Sequence, residues 1–238
     1  MLECPVVFLT AFMGTLYVVA TPIGNLADFS PRGQEILGSV DLILSEDTRE
    51  TSKLLNRYQI EASQMSYRDQ NHERVVDQIL NLLKEGKDLA LVSDSGTPLI
   101  SDPGFKLVSE IHAQGGKVVT IPGPSAVTAA LSIAGLPTDK FVFLGFLPKK
   151  TSQIEKVLNT YSNLDATLVI YESPFRVRKL LEAVHNVLGN RCTTICRELT
   201  KVHEEVITGN VADLKEAPFK EKGEFVVLVA KEGFLSNA

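Results

Sequence analysis

The sequence predicts an α/β protein of two subdomains, the first built on a largely parallel sheet and the second on a mixed one. Three observations lead there. Short apolar runs alternate with amphipathic segments from Leu16 to Ala134 with no hairpin signal between them, the pattern of strands joined by crossover helices. Several runs end in clusters of Gly, Pro, Ser and Asp, which in an open α/β sheet lie at the carboxyl ends of strands, where ligands bind. Beyond Asp139 strands outnumber helices, and Leu136 to Lys140 reads as the boundary between subdomains at residues 13–136 and 141–232.

Residues Met1 to Phe12 show no element bounded by turn signals and read as a loose extension or the product of an upstream start. Leu16 to Ala20 is a first buried strand, closed by the loop Thr21 to Asn25. Ser30 and Pro31 supply an N-cap and a first-turn proline for a helix ending near Gly38. Val40 to Ser45 is the second strand, with the charged Glu46 to Arg49 at its carboxyl end and a helix through Leu55. Met65 to Asn71 is a polar segment. From His72 to Glu85, Val75, Val76, Ile79, Leu82 and Leu83 mark an amphipathic helix, begun at His72 and stopped by Gly86 as a left-handed cap. Leu89 opens the next strand, and the loop Ser93 to Gly104 follows it. Asp102 reads as N-cap and Pro103 as first turn of a helix ending at Gly115. A strand from Val118 and an Ala-, Ser- and Thr-rich helix from Pro124 to Ala134 complete this half, closed by Gly135 to Pro137. In the second half, strands are expected at Phe141 to Leu147, Thr167 to Tyr171, Thr193 to Arg197 and Glu224 to Ala230. Helices are expected from Thr151 and from Phe175 to Leu188, the latter ending at Gly189.

The 238 residues, 44% hydrophobic and 22% charged, suffice for a substantial core. No apolar run approaches the ~20 residues of a membrane-spanning helix, and Val6 to Phe12 lacks the basic start and cleavage site of a secretory signal. A cytoplasmic location is expected. Three cysteines, Cys4, Cys192 and Cys196, leave an odd count and suit a reducing compartment. Cys192 and Cys196 are spaced as a metal pair could be, but no second ligand pair follows, so they read as buried strand cysteines and no metal is expected. The net charge of −5 argues against a protein that coats nucleic acid non-specifically. Its distribution is uneven: from Asp139 onward 14 Lys and Arg face 13 Asp and Glu, against 10 and 16 before it. A polyanion would approach the second half more easily.

Glycine-rich loops first suggest nucleotide phosphate. No G-x-G-x-x-G follows the first strand, however, and no G-x-x-x-x-G-K-[ST] occurs. A G-x-S-x-G elbow, an H-E-x-x-H and zinc spacing are absent as well. What remains is a set of loops rich in backbone donors and small side chains, suited to a polar, zwitterionic small molecule. Six blocks occur in order: Thr21-Pro-Ile-Gly-Asn-Leu26, Ser45-Glu-Asp-Thr-Arg49, Ser93-Asp-Ser-Gly-Thr-Pro-Leu-Ile-Ser-Asp-Pro-Gly104, Ile121-Pro-Gly-Pro-Ser-Ala126, Tyr171-Glu-Ser-Pro-Phe-Arg176 and Arg197-Glu-Leu-Thr-Lys201. Together they resemble the small-subunit ribosomal RNA methyltransferase branch of the tetrapyrrole methylase superfamily, over Met13 to about Ala230.

The resemblance implies a cofactor cleft between the two α/β subdomains, S-adenosylmethionine as cofactor, and methylation of a cytidine ribose 2′-hydroxyl in the decoding region of 16S rRNA. It further implies a homodimer acting on the small ribosomal subunit. Carried over by position, Ser95, Gly96, Thr97, Leu99, Ile100, Ser125 and Ala126 line the cofactor site, with Pro22 in the first loop. From the second subdomain come Tyr171, Glu172 and the strand end at Arg197. A ribose hydroxyl is weakly acidic, so a base or a cation is needed near the developing alkoxide. Asp47 or Glu198 is the expected proton acceptor, with Arg49 and Lys201 positioning phosphate or oxyanion, although Arg49 could simply pair with Asp47 or Glu46. Lys149, Lys150, Arg176, Arg178 and Lys179 are expected to contact RNA. Two departures from the resembled pattern stand out. Tyr67 to Asn71 lacks the usual histidine and keeps only Asn71. The sequence as read ends at Ala238 soon after its last expected strand, where many members of the resembled family are expected to continue into a helical extension. Two other functions compete. Methylation of a tetrapyrrole precursor or other small acceptor usually goes with a G-x-G-x-G-D first loop, where this chain has Thr21 to Asn25. A non-enzymatic RNA-binding module would call for basic and stacking residues, yet aromatics are 7% and tryptophan is absent.

Overall fold

The computed structural model describes residues 14–234, so the expectations for residues 1–12, Cys4 included, lie outside the described residues. The chain divides into two compact units, the first ending at Ser125 and the second beginning at Ala126.

The first unit holds β1 (Thr15–Val19), α1 (Pro31–Ser39), β2 (Leu42–Ser45), α2 (Thr48–Arg57), β3 (Gln64–Ser66), α3 (His72–Lys84), β4 (Leu89–Val92), α4 (Phe105–Ala113) and β5 (Lys117–Ile121). Its strands lie in the order β3-β2-β4-β1-β5, and every pairing is parallel. Side-chain alternation sorts the apolar runs onto two faces. Leu89 and Leu91 of β4 pack with Ile79, Leu83, Leu107 and Ile111 of α3 and α4. Ala90 and Val92 pack with Leu37, Leu54 and Leu55 of α1 and α2. Both faces are thus covered, which is why β4 is apolar at every position.

Local chemistry sets the helix ends. The Ser30 hydroxyl accepts from the Gly33 N–H at 3.0 Å and Asp47 from the Arg49 N–H at 2.9 Å, each filling an orphan donor of a first turn. Gly86, at φ 86°, ends α3 as expected. Two expectations are corrected here. The polar segment after residue 63 contains an edge strand, β3, held by its pairing to β2 rather than by apolar content. His72 opens α3 as expected, and it is also buried, its Nδ1 lying 3.0 Å from the Tyr67 hydroxyl. Asp102 does not cap α4. Gly104 holds that position at φ 134°, where a Cβ would fall 2.7 Å from Leu91 Cδ2, so only glycine fits.

The second unit holds α5 (Ala126–Ile133), β6 (Phe141–Phe146), α6 (Thr151–Thr160), β7 (Thr167–Glu172), α7 (Val177–Leu188), β8 (Cys192–Arg197), β9 (Glu205–Asn210), α8 (Val211–Leu214) and β10 (Phe225–Val229). The sheet order is β6-β7-β10-β8-β9, with β6 and β7 parallel and the other pairings antiparallel. Leu168, Ile170, Ile195, Val227 and Val229 meet Ile154, Leu158, Leu180, Leu181 and Val184 of α6 and α7 in one core. Opposite them, α5 lies against β10, and Thr194 donates to the Ala134 carbonyl at 2.9 Å. Strand β9 and helix α8 escape the sequence reading. The strand is an edge whose exposed positions are Val206, Thr208 and Asn210, and the helix is four residues long. Cys192 and Cys196 are buried free thiols on β8. Among the described residues no helix is long and apolar enough to cross a membrane.

Candidate active site

In the first unit, three loops at the carboxyl ends of β1, β4 and β5 are tied together. Thr21 and Gly96 exchange backbone hydrogen bonds of 2.8 and 3.1 Å, and the Thr21 hydroxyl donates to the Ser93 carbonyl at 3.1 Å. The Thr97 hydroxyl donates to the Pro124 carbonyl at 3.0 Å. A Cβ on Gly123 would lie 3.0 Å from the Ala20 Cβ, so glycine there permits the close approach of the β1 and β5 loops. Between Gly96 and Gly104 the backbone turns left-handed at two non-glycine positions, Leu99 at φ 74° and Ser101 at φ 67°. Such residues are held against their own preference only when surroundings over-determine them, and they cluster at binding and catalytic sites.

Beside these loops the ends of β2 and β4 bring carboxylates together. Asp94 accepts from the Asp47 N–H at 3.0 Å, and Glu46 accepts from the Asp94 N–H at 3.4 Å. Burial, then the Asp94 charge, raises the Glu46 carboxyl. Burial raises Asp94 too. Asp102 is pushed up to about 6 by burial, the Ser93 hydrogen bond only partly opposing it. Asp47 behaves oppositely. Arg49 grips it through Nε at 3.0 Å and Nη2 at 2.6 Å, and that guanidinium holds the carboxyl well below the usual range.

In the second unit, Tyr171 and Glu172 end β7. The Tyr171 ring meets Phe143 and Phe146 edge-on at centroid distances of 4.8 and 5.6 Å. Glu172 is buried, its Oε1 accepting from the Ser173 N–H at 2.7 Å. Its Oε2 lies 3.2 Å from Arg176 Nη2 but out of line, leaving a buried acceptor without a hydrogen bond. At the end of β8, Arg197 donates to Glu205 at 2.9 Å and to the Lys222 carbonyl at 3.2 Å. Lys201 joins Glu198 at 2.9 Å and Glu224 at 2.8 Å. Burial alone would raise Glu198, but Lys201 and the Glu224 N–H hold it below the usual carboxylate range. Gly223 packs so tightly here that a Cβ would fall 2.4 Å from Glu198 Cδ. A separate cavity of about 460 Å³ between α5 and the start of β6 is lined by Thr128, Leu131, Ser132, Gly135, Leu136, Thr138 and Phe141. It holds no ionisable side chain and so offers no acid–base chemistry.

A profile described as Tetrapyrrole (Corrin/Porphyrin) Methylases matches residues 15–215, running from β1 past α8. The chain belongs to this tetrapyrrole methylase family. Relatives named Ribosomal RNA small subunit methyltransferase I share 44% identity with it. The Halalkalibacterium halodurans protein aligns over 92% of this chain and 77% of its own length. The Thermotoga maritima protein aligns over 92% and 100%. Among solved structures, the methyltransferase CobJ superposes with a TM-score of 0.70 at 20% identity, covering 94% of this chain and 97% of its own. A diphthine synthase superposes at 0.68 with 15% identity, covering 91% and 89%. These structures share its fold.

In this tetrapyrrole methylase, the residues singled out from sequence fall into groups by unit. Pro22, Ser95, Gly96, Thr97, Leu99, Ile100 and Ser125 lie on the tied loops of the first unit, while Ala126 opens α5 in the second. Asp47 and Arg49 form one ion pair, and Glu198 and Lys201 form another within the second unit. The Arg197 guanidinium is committed to Glu205 and a carbonyl, so only its backbone marks the strand end. The carboxyls whose proton affinity is raised, Glu46, Asp94 and Asp102, are not among those residues. The two aspartates stand inside the quoted Ser93 to Gly104 block, but residue type alone does not report burial.

Proposed function

We propose that this chain transfers a methyl group from S-adenosylmethionine to the 2′-hydroxyl of a cytidine ribose in the decoding region of 16S rRNA, acting as a cytoplasmic homodimer on the small ribosomal subunit. The observation that carries the reading is the similarity along nearly the whole chain to relatives named as small-subunit ribosomal RNA methyltransferases. Placement of the first four motif blocks on loops at the carboxyl ends of one parallel sheet supports it. Bound S-adenosylmethionine would supply an electrophilic methyl group on a sulfonium.

The loops fit such a ligand. They combine hydroxyl and backbone groups with neighbouring carboxylates, a set suited to a cationic, phosphate-free molecule, and in the second unit Glu172 Oε2, ion-paired with Arg176 but without a hydrogen bond, is a further acceptor. Pro22, Ser95, Gly96, Thr97, Leu99, Ile100, Ser125 and Ala126 would hold it, with Tyr171, Glu172 and the Arg197 strand end. The remaining task is to align the hydroxyl and take its proton. Asp47 and Glu198, each held ionised by a cation, keep Arg49 and Lys201 in place to steady phosphate or oxyanion. Asp102, raised to about 6 by burial, has a proton affinity suited to accepting a proton near neutral pH.

The test is incubation with labelled S-adenosylmethionine and small subunits from cells lacking the modification, followed by mapping of the methyl. Label on the ribose of one cytidine is expected; label only on protein or small molecules overturns the reading. Asp102→Asn is expected to lower turnover about 100-fold, with cofactor affinity by calorimetry unchanged. Alanine at Asp47, Arg49, Glu198 and Lys201 is expected to lower turnover too, and unchanged rates at all four would remove their roles.

A further inference from the structure

Phe175 is 93% exposed and Phe146 60% exposed, although both flank the end of β7 in the second unit. An aromatic ring left almost wholly in water forgoes roughly 1.5–3 kcal/mol of burial, so a fold that holds one out rigidly invites a partner. Phe175 is held. It sits in the turn between β7 and α7, and the next residue, Arg176, donates through Nη2 to the carbonyls of Leu147 and Pro148, both at 2.8 Å. Arg176 also pairs with buried Glu172 at 3.2 Å. Lys179 adds a bond to the Lys149 carbonyl at 3.0 Å. These bonds clamp the turn bearing Phe175 onto the loop that joins Phe146 to Lys150.

The clamp divides the basic residues of this region. Arg176, Arg178 and Lys179 all point donors at backbone carbonyls. Lys149 and Lys150 are exposed and form no ion pair among the described residues. The rim therefore offers exposed aromatic rings beside two cations uncommitted to carboxylates. We propose that Phe175 and Phe146, flanked by Lys149 and Lys150, form a platform on which an unpaired base of the RNA substrate stacks while the lysines meet its phosphates. The proposal rests on the reading that RNA is the acceptor. Its chemistry is that of single-strand binding, an aromatic face for any base and positive charge along the backbone. A second copy of the chain fits this rim less well. Two phenyl rings supply far less than the roughly 800 Å² per partner of a stable interface, and lysines are depleted at such interfaces.

The test uses the intact protein and a labelled single-stranded RNA of about ten nucleotides, alongside unmodified small subunits. Phe175→Ala is expected to weaken binding of the single strand about tenfold, within the range known for losing one base–aromatic stack. Phe175→Trp is expected to restore it, and a duplex of the same composition is expected to show no dependence on Phe175. Replacing Lys149 and Lys150 by Ala should flatten the dependence of log affinity on log salt by about 0.7 for each phosphate no longer neutralised. On small subunits, Phe175→Ala should raise KM with little change in kcat. Equal single-strand affinity for Phe175→Ala and the parent protein overturns the platform, whether or not methyl transfer to RNA is found. A change in oligomeric state by sedimentation without a change in RNA affinity overturns it in favour of a self-association face. Methyl transfer to RNA that fails while Phe175 still governs single-strand binding would sink the proposed reaction and support the platform.

Discussion

Asp102 and Asp47 lie on neighbouring loops, and their surroundings drive them in opposite directions. At Asp47 a bidentate guanidinium stabilises the charge. At Asp102 burial penalises it, and the carboxyl rises from 3.8 to about 6. An acid that binds its proton more tightly folded than unfolded contributes stability while protonated, and that contribution is lost as pH climbs through the folded value. Asp102→Asn removes the ionisation. The variant is therefore expected to gain on the parent as pH rises between 3.8 and about 6, and to hold a constant advantage above that. The advantage should be on the order of 2 kcal/mol. Urea denaturation of both proteins at a series of pH values measures it, and parallel curves at every pH would show that the carboxyl carries no such cost. Stability gained together with turnover lost is the signature of a residue kept for chemistry. The loop position of Asp102 is legible in the sequence; its burial is not, because Asp-Pro reads equally well as a helix start.

Arg178 shows how an element can be held by one side chain. From α7 it donates to the carbonyls of Leu214, Lys215 and Ala217 at 3.2, 2.7 and 2.8 Å, reaches Glu221 at 2.9 Å and lies 3.8 Å over the Phe219 ring. It fastens the segment after α8 to the helix. Arg178→Ala is expected to cost about 2–4 kcal/mol, measured by denaturation, and Arg178→Lys to recover little, since an ammonium cannot span the same acceptors. A loss below about 0.5 kcal/mol would reduce Arg178 to an ordinary surface cation. The sequence assigns this arginine to RNA because a charge count does not reveal whether a guanidinium faces water or carbonyls. The same limit hides β3 and β9, edge strands whose short, mixed polar and apolar sequences leave no apolar run to read. Buried strands such as β4 and amphipathic helices such as α3 are legible, since there burial itself writes the pattern.

Across the whole chain, each unit carries its own hydrophobic core, two-sided in the first and centred on α6 and α7 in the second. The acidic excess of the first half and the near balance of the second agree with carboxylate-rich loops in one and a lysine-bearing rim in the other. Cys192 and Cys196 both belong to β8, which lies between β10 and β9 in the second sheet. Burial pushes the Cys196 thiol up to about 12 and raises Cys192 as well, so in the native protein both are protonated and shielded from alkylating reagents. In a protein whose Cys4 is replaced by Ser, modification has to wait for that sheet to open. The rate of alkylation then becomes a clock on the breathing of the second unit, silent to the first. Reagent uptake as fast as that of an unfolded control would mean the sheet opens freely, whereas slow uptake that tracks denaturant would give the opening free energy of one half of the protein directly.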